Sequence, residues 1–160
     1  MTTVVPHSLL TVLVYAVAPA TYGHEYLLLR RIPARGGFWQ GVTGAVEPGE
    51  DLDAAAIREL IEETRLEPVG LVPIDYQYTF PLGGGRGPSV RRAPRITENV
   101  FLAILSARVD PTIDPAEHDA WAWFIYEDAL GWLRWPENVE ALKRCEAAIH
   151  QPPGGTGSKG

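Results

Sequence analysis

A single cysteine, Cys145, leaves no internal disulfide to form, and with no cysteine or histidine cluster a structural zinc site has no ligands. No apolar run approaches the ~18 residues that span a bilayer as a helix. Cations are in deficit, with 14 Lys+Arg against 20 Asp+Glu and a formal charge of −6. That balance gives no general attraction to a nucleic-acid polymer or an anionic membrane, so an anionic substrate needs local cations or bound metal. The amino terminus has an apolar stretch but no basic residue ahead of it and no clear small-residue cleavage site. It reads as a strand rather than a signal peptide, which sets the expectation of a cytoplasmic protein.

What is present suits one globular core. The 160 residues are 46% hydrophobic and 21% charged, enough for a single domain that buries roughly two-thirds of its unfolded surface. Strands are expected over Ser8 to Ala18, Glu25 to Arg31, Leu71 to Phe80, Asn99 to Ser106 and Ala120 to Tyr126, the fourth hydrophobic enough to be central. Ile32 to Gly37 reads as a loop, and FWQGVTGAVEPGE as a second loop around brief extended pieces. Asp51 is placed to cap a helix, LDAAAIRELIEETRL, with Ala56, Ile57, Leu60 and Ile61 on its apolar face. Pro136 opens a last helix with Val139, Leu142, Cys145 and Ile149 buried. The order lacks a regular βαβ alternation and favours a mixed sheet packed between helices. The domain is expected over residues 1–150, with a low-complexity, disordered tail at 151–160.

Chemistry concentrates between Gly44 and Leu66. Glu59, Glu62 and Glu63 are three and four positions apart on the helix, so their carboxylates project within about 100° of one another, away from the apolar face. Two carboxylates about 4 Å apart repel by roughly 4 kcal/mol at an effective dielectric of 20. Arg58 offsets part of this charge, and Mg²⁺ or Mn²⁺ is the natural remainder. The plain alternative is a solvated acidic face.

The flanking residues decide between the two. The segment resembles the Nudix box, G-x5-E-x7-R-E-U-x-E-E-x-G-U with U aliphatic, through Gly44, Glu50, Arg58, Glu59, Leu60, Glu62, Glu63 and Leu66 at the required spacing. It departs at Arg65, where the box has glycine, which implies a different turn at the helix exit. The resemblance implies a Nudix-type α/β/α sandwich and a hydrolase acting on phosphoanhydride bonds. By the same resemblance Glu59 and Glu63 are the main metal ligands, Glu62 a further or water-mediated one, and Arg58 orients the glutamates. Glu50 holds the loop–helix turn, and the Gly44 region brings a backbone carbonyl toward the metal. The general base stays open between Glu62 and a glutamate outside the box.

Beyond the box the likeness extends over about residues 8–149, with FWQGVTGAVEPGE, APRITENVFLAIL and AEHDAWAWF resembling bacterial dihydroneopterin triphosphate pyrophosphohydrolases of folate synthesis. That likeness implies Glu117 as a distal metal ligand. Trp39 and Gln40 are placed to stack on and read a flat pterin or base, or else to cap the core. Arg30 and Arg31 end a strand near the expected mouth and are placed for phosphate oxygens. Tyr78 shares a strand face with Tyr76 and Phe80, as core or as a ligand platform. Arg91, Arg92 and Arg95 lie in a loop that is placed to close over the polyphosphate. His118 is an acid/base candidate or a structural histidine, while His7, His24 and His150 show no partner at meaningful spacing. The expected substrate is a small phosphorylated molecule, dihydroneopterin triphosphate first, with a diadenosine polyphosphate or a (d)NTP as the alternative. A non-catalytic ligand-binding regulatory domain is the alternative of another class. The resemblance also admits a homodimer.

Overall fold

The computed structural model describes residues 9–82 and 94–151. Seven strands form one mixed sheet: β1 (Leu9–Pro19), β2 (His24–Arg31), β3 (Trp39–Gln40), β4 (Val42–Ala45), β5 (Gly70–Pro81), β6 (Arg95–Ile104) and β7 (His118–Phe124). Three helices accompany them, α1 (Leu52–Thr64), α2 (Tyr126–Trp132) and α3 (Pro136–His150). The path through the sheet is β3-β2-β1-β6-β5, with β4 paired to β1 and β7 to β2. The β1–β6 ladder is parallel and the other described ladders are antiparallel. This is the mixed α/β sandwich the sequence pattern favours.

β1 shows why the sheet opens where it does. Its residues Thr11–Val14 pair with β4 and Ala16–Pro19 with β2, while β6 runs along Leu9–Val17. β4 and β2 therefore share one edge of β1 and separate near Tyr15. The chain crosses that gap at Gly41, where a Cβ would stand 2.7 Å from the Val14 carbonyl oxygen and 3.0 Å from the Tyr15 ring. Only glycine lets the backbone step between the two ladders so closely.

Alternation along β1 divides the core. Val12, Val14, Ala16 and Ala18 pack against Ala55, Ala56 and Leu60 of α1. Leu13, Tyr15 and Val17 pack against Ala129, Ala141, Leu142 and Cys145 of α2 and α3. Full burial of Leu60 alone contributes about 1.5–3 kcal/mol toward holding α1 on the sheet.

Several expectations shift. β6 begins four residues before Asn99, since Arg95 to Glu98 continue the ladder with β5 beyond the apolar run. β7 spans His118–Phe124, and the next residues turn into α2. That helix has no side-chain cap hydrogen bond and is only 7 residues long, so its propensity signal is weak. Ile32 to Gly37 contains a 3₁₀ turn, Pro33–Arg35. Asp51 stands at the N-cap of α1 without a side-chain cap hydrogen bond. Arg65 does not change the exit turn. It adopts φ 63°, ψ 17°, the left-handed conformation a glycine takes there, and its N–H donates to the Ile61 carbonyl. Among the described residues no helix is long and apolar enough to cross a membrane. Arg91, Arg92, His7 and the stretch 152–160 lie outside the described residues, while Arg95 is an exposed first residue of β6.

Candidate active site

The loop from Ala45 to Asp51 turns back from β4 into α1, and a salt-bridge network fixes that turn. Arg58 Nε donates to Glu50 Oε2 at 2.8 Å and Nη2 donates to Glu50 Oε1 at 2.9 Å, a bidentate pair. The same Nη2 reaches the Ala45 carbonyl at 2.9 Å, and Nη1 reaches Glu59 at 2.9 Å and Glu62 at 3.3 Å. Glu50 in turn accepts the Glu47 amide at 3.0 Å. The guanidinium, with that amide, holds the Glu50 carboxyl down to about 2.

The three glutamates of α1 do not share one environment. Glu62 is exposed, whereas Glu63 is 7% exposed and lies beside Thr64 on the buried flank. This corrects the expectation that all three project away from the core. Burial pushes the Glu63 carboxyl up to about 8, helped by the charges of Glu117 and Glu59 and opposed by Arg31. Among the described residues Glu63 Oε2 has no hydrogen-bond partner. Glu59 is also raised, chiefly by burial, against the pull of Arg58. Its carboxyl group occupies the space above Gly44, where an added Cβ would overlap it. Gly44 thus forms a cradle for Glu59.

Glu117 belongs to the turn before β7, anchored by the Ile32 N–H on its carbonyl at 3.0 Å. Its carboxylate lies 3.5 Å from Arg35 Nη1. His118 follows, 4% exposed, with neither ring nitrogen partnered. Burial pushes its imidazole below the usual histidine range. Arg31 is its cross-strand partner on β2, and the Arg31 guanidinium lies 5.6 Å from the Phe38 ring centre.

Among the described residues no three histidine, cysteine or carboxylate side chains already converge on a ready-made ion position. Arg58 draws Glu59 and Glu62 toward itself. The donors nevertheless fit a hard divalent cation: all are carboxylate oxygens, and Glu63 carries a buried oxygen that nothing among the described residues satisfies. Glu59, Glu63, Glu62 and Glu117 are the side chains that could hold it.

The structure brings Arg58, Glu50, Glu59, Glu62, Glu63, Gly44, Glu117 and Arg31 to one region. Four other candidates have partners of their own. Trp39 packs edge-on against Phe124 and Trp132 in the core on the α2/α3 face, with centroids 5.7 and 5.6 Å away. The Gln40 amide is 5% exposed and donates to Thr43 at 3.2 Å. Tyr78 donates to the buried Glu98 at 2.6 Å and accepts from Asn138 at 2.8 Å, between β5, β6 and α3. Trp39 is drawn there by apolar burial, and Tyr78 by apolar burial with a satisfied polar tip. Arg30 pairs with Asp119 at 2.7 Å.

Two groupings escaped the sequence reading. Glu98 is 6% exposed and bonded by Tyr78 and Thr11; a lone charge ahead of the run NVFLAI was its signal. His24 and His150 are not partnerless, since both bond Glu146, at 2.8 and 2.9 Å. The Glu146–His150 pair at i,i+4 was readable, but the contact with His24 depends on the fold.

The pattern described as the NUDIX domain matches residues 9–145. The chain belongs to the NUDIX domain family. This family member is 42% identical over 121 residues to an octanoyltransferase of Myxococcus xanthus, covering 76% of this chain and 32% of that protein. It is 36% identical over 114 residues to an RNA pyrophosphohydrolase of Caulobacter vibrioides, covering 66% of this chain and 63% of that protein. To the dihydroneopterin triphosphate diphosphatase of Escherichia coli (strain K12) it is 37% identical over 110 residues, covering 67% of this chain and 73% of that protein. The chain thus spans about a third of the first of these relatives and under two thirds of the second. The solved structure of the E. coli dihydroneopterin triphosphate pyrophosphohydrolase superposes with a TM-score of 0.67 at 27% identity, over 84% of this chain and 92% of that one.

Proposed function

We propose that this Nudix domain is a hydrolase that cleaves a phosphoanhydride bond, with Mg²⁺ as its working ion, in a small triphosphate for which dihydroneopterin triphosphate is the first choice. The observation that carries the reading is the pairing of Glu63, buried with an unpartnered oxygen, with Glu59 on the Gly44 cradle. Buried carboxylates so close to one another are costly without a counter-cation. A bound divalent ion supplies charge neutralisation of the polyphosphate and a more acidic water.

The residues divide the remaining work. Arg58 holds Glu59 and Glu62 in place from its anchor on Glu50. Arg31 presents a cation toward Glu63, placed to meet a phosphate oxygen. Glu62 and Glu117 are the carboxylates available to accept a proton from the attacking water. The water oxygen bonds to phosphorus, the bridging P–O bond breaks, and the products are the monophosphate and pyrophosphate. The pterin preference rests on the E. coli diphosphatase and its solved structure. The domain is proposed to occupy residues 1–150, in the cytoplasm.

The test is a panel of dihydroneopterin triphosphate, nucleoside triphosphates, diadenosine tetraphosphate and 5′-triphosphorylated RNA, with Mg²⁺ or Mn²⁺ and products separated by chromatography. The pterin substrate is expected to show the highest kcat/KM. Preference for another member reassigns the substrate. No turnover of any member favours a ligand-binding domain.

A further inference from the structure

Among the described residues, the buried polar side-chain atoms without a partner belong to Arg31, Glu63, His118 and Trp123. Arg31 links two of the others: it is the cross-strand partner of His118, and its charge acts on both Glu63 and His118. Buried donors and acceptors are nearly always paired. A histidine packed only for its shape satisfies at least one ring nitrogen, and this one satisfies neither.

The backbone has been adjusted to make the juxtaposition. Along β2 and β7, Arg30 pairs with Ala120, so an unbroken register would set Arg31 opposite Asp119. A register shift between Arg30 and Arg31 sets it opposite His118 instead. Asp119 is left to its salt bridge with Arg30. Bulges of this kind re-aim a side chain, and here the change exchanges a carboxylate for an imidazole beside the Arg31 guanidinium. The turn bearing His118 is fixed by hydrogen bonds from the His118 and Glu117 amides to the Asp114 carbonyl, at 2.9 and 3.0 Å. The charged groups around the ring are Glu117, Arg31, Arg35 and Asp114.

We propose that Arg31 and His118 together form a seat for a phosphoryl oxygen of the polyphosphate, with the imidazole N–H and the guanidinium Nε as paired donors. Even the neutral ring carries one N–H, so donation does not require a protonated histidine. The Arg31 charge reaches Glu63, so an oxygen held at the seat is assigned to the same phosphate chain as those facing the glutamates. It rests on the hydrolase reading for its ligand class only.

The experiment compares wild type with His118→Phe and His118→Gln, with Arg31→Met as a second probe of the seat. Pyrophosphate binding is measured by calorimetry in millimolar Mg²⁺, and Mn²⁺ affinity without pyrophosphate by electron paramagnetic resonance. Phenylalanine keeps the ring and removes the donors, while glutamine restores an N–H. We expect His118→Phe and Arg31→Met to weaken pyrophosphate binding about tenfold, and His118→Gln to recover most of the loss, with Mn²⁺ affinity unchanged in the two His118 variants. In ¹⁵N-histidine-labelled wild type, pyrophosphate is expected to shift the His118 ring nitrogens. Unchanged pyrophosphate affinity in a folded His118→Phe overturns the seat. Equal loss of Mn²⁺ affinity also overturns it, because His118 would then act through the glutamates. If His118→Phe fails to fold, Arg31→Met and the ¹⁵N shift decide. The hydrolase reading is judged separately, by turnover of the wild type.

Discussion

Gly44 and Glu59 are in van der Waals competition for one volume: the glutamate carboxyl lies where a Cβ on residue 44 would go. Gly44 sits in an ordinary strand, paired with Val12, and has no positive φ to explain its identity. Its hydrogen is what lets α1 bring Glu59 against β4. In Gly44→Ala the obstacle is the far end of a flexible side chain, so the carboxyl should swing aside and the fold survive. We expect stability to change by less than about 1 kcal/mol while Mn²⁺ affinity falls about tenfold or more, as for other disturbed ligand supports. Urea denaturation and metal titration check the two separately, and loss of stability without loss of affinity contradicts the cradle.

Arg58 joins five oxygens, on Glu50, Glu59, Glu62 and the Ala45 carbonyl, with one planar fork. A lysine ammonium has the charge without the fork and cannot span that set. Arg58→Lys is therefore expected to lower kcat at least about tenfold with little change in stability. Arg58→Ala, which takes the guanidinium away from Glu50, Glu59 and Glu62, should also lower stability. Steady-state kinetics beside denaturant titration would show it, and a lysine variant with wild-type kcat would reduce Arg58 to a surface ion pair.

Local chemistry was legible where spacing along one helix sets it. Gly44, Glu50, Arg58, Glu59, Glu62 and Glu63 fall in a single segment, and the structure brings them together. What a helical wheel could not foresee is which flank of α1 the sheet covers, and that decides why Glu63 is buried and Glu62 is not. Residues outside the segment depend on registers that sequence does not display. Trp39, ahead of the box, read equally as a stacking platform or a core cap, and α2, a helix without cap signals, decides for the second by supplying Trp132 to cover it. Tyr78 found its partner twenty residues on, in Glu98, through the β5–β6 register. The Arg31–His118 juxtaposition depends on a one-residue bulge, which no periodicity reveals.

Arg65 offers a test free of the chemistry. Its left-handed φ of 63° is uncommon for a residue with a Cβ and natural for glycine. Its N–H still closes the helix on Ile61. Arg65→Gly relieves the backbone but makes the unfolded chain more flexible, so the net gain is modest, about 0.5–1 kcal/mol. Activity should be unaffected, since Arg65 is exposed and makes no contact with the glutamates' salt-bridge network. A lower melting temperature would show that the arginine side chain stabilises the turn more than the strain costs.

Glu63 links the site to pH. In the metal-free folded protein its carboxyl is raised from 4.5 to about 8, whereas the unfolded chain keeps the ordinary value. Between those two pH values the folded state holds a proton the unfolded state has lost, so stability falls as pH rises through the window. The slope from this one group is at most about 1.4 kcal/mol per pH unit, and the whole effect is on the order of a few kcal/mol. Glu63→Gln, which is neutral at every pH, should flatten that decline in EDTA and equal or exceed wild-type stability at pH 8. Metal binding needs the carboxylate, so Mg²⁺ should release protons on binding to wild type and fewer on binding to the variant. With a ligand to the working ion removed, kcat of Glu63→Gln is expected to fall roughly a hundredfold or more while the fold persists. Turnover close to wild type in a folded Glu63→Gln would remove Glu63 from the metal site, whatever the stability curve shows.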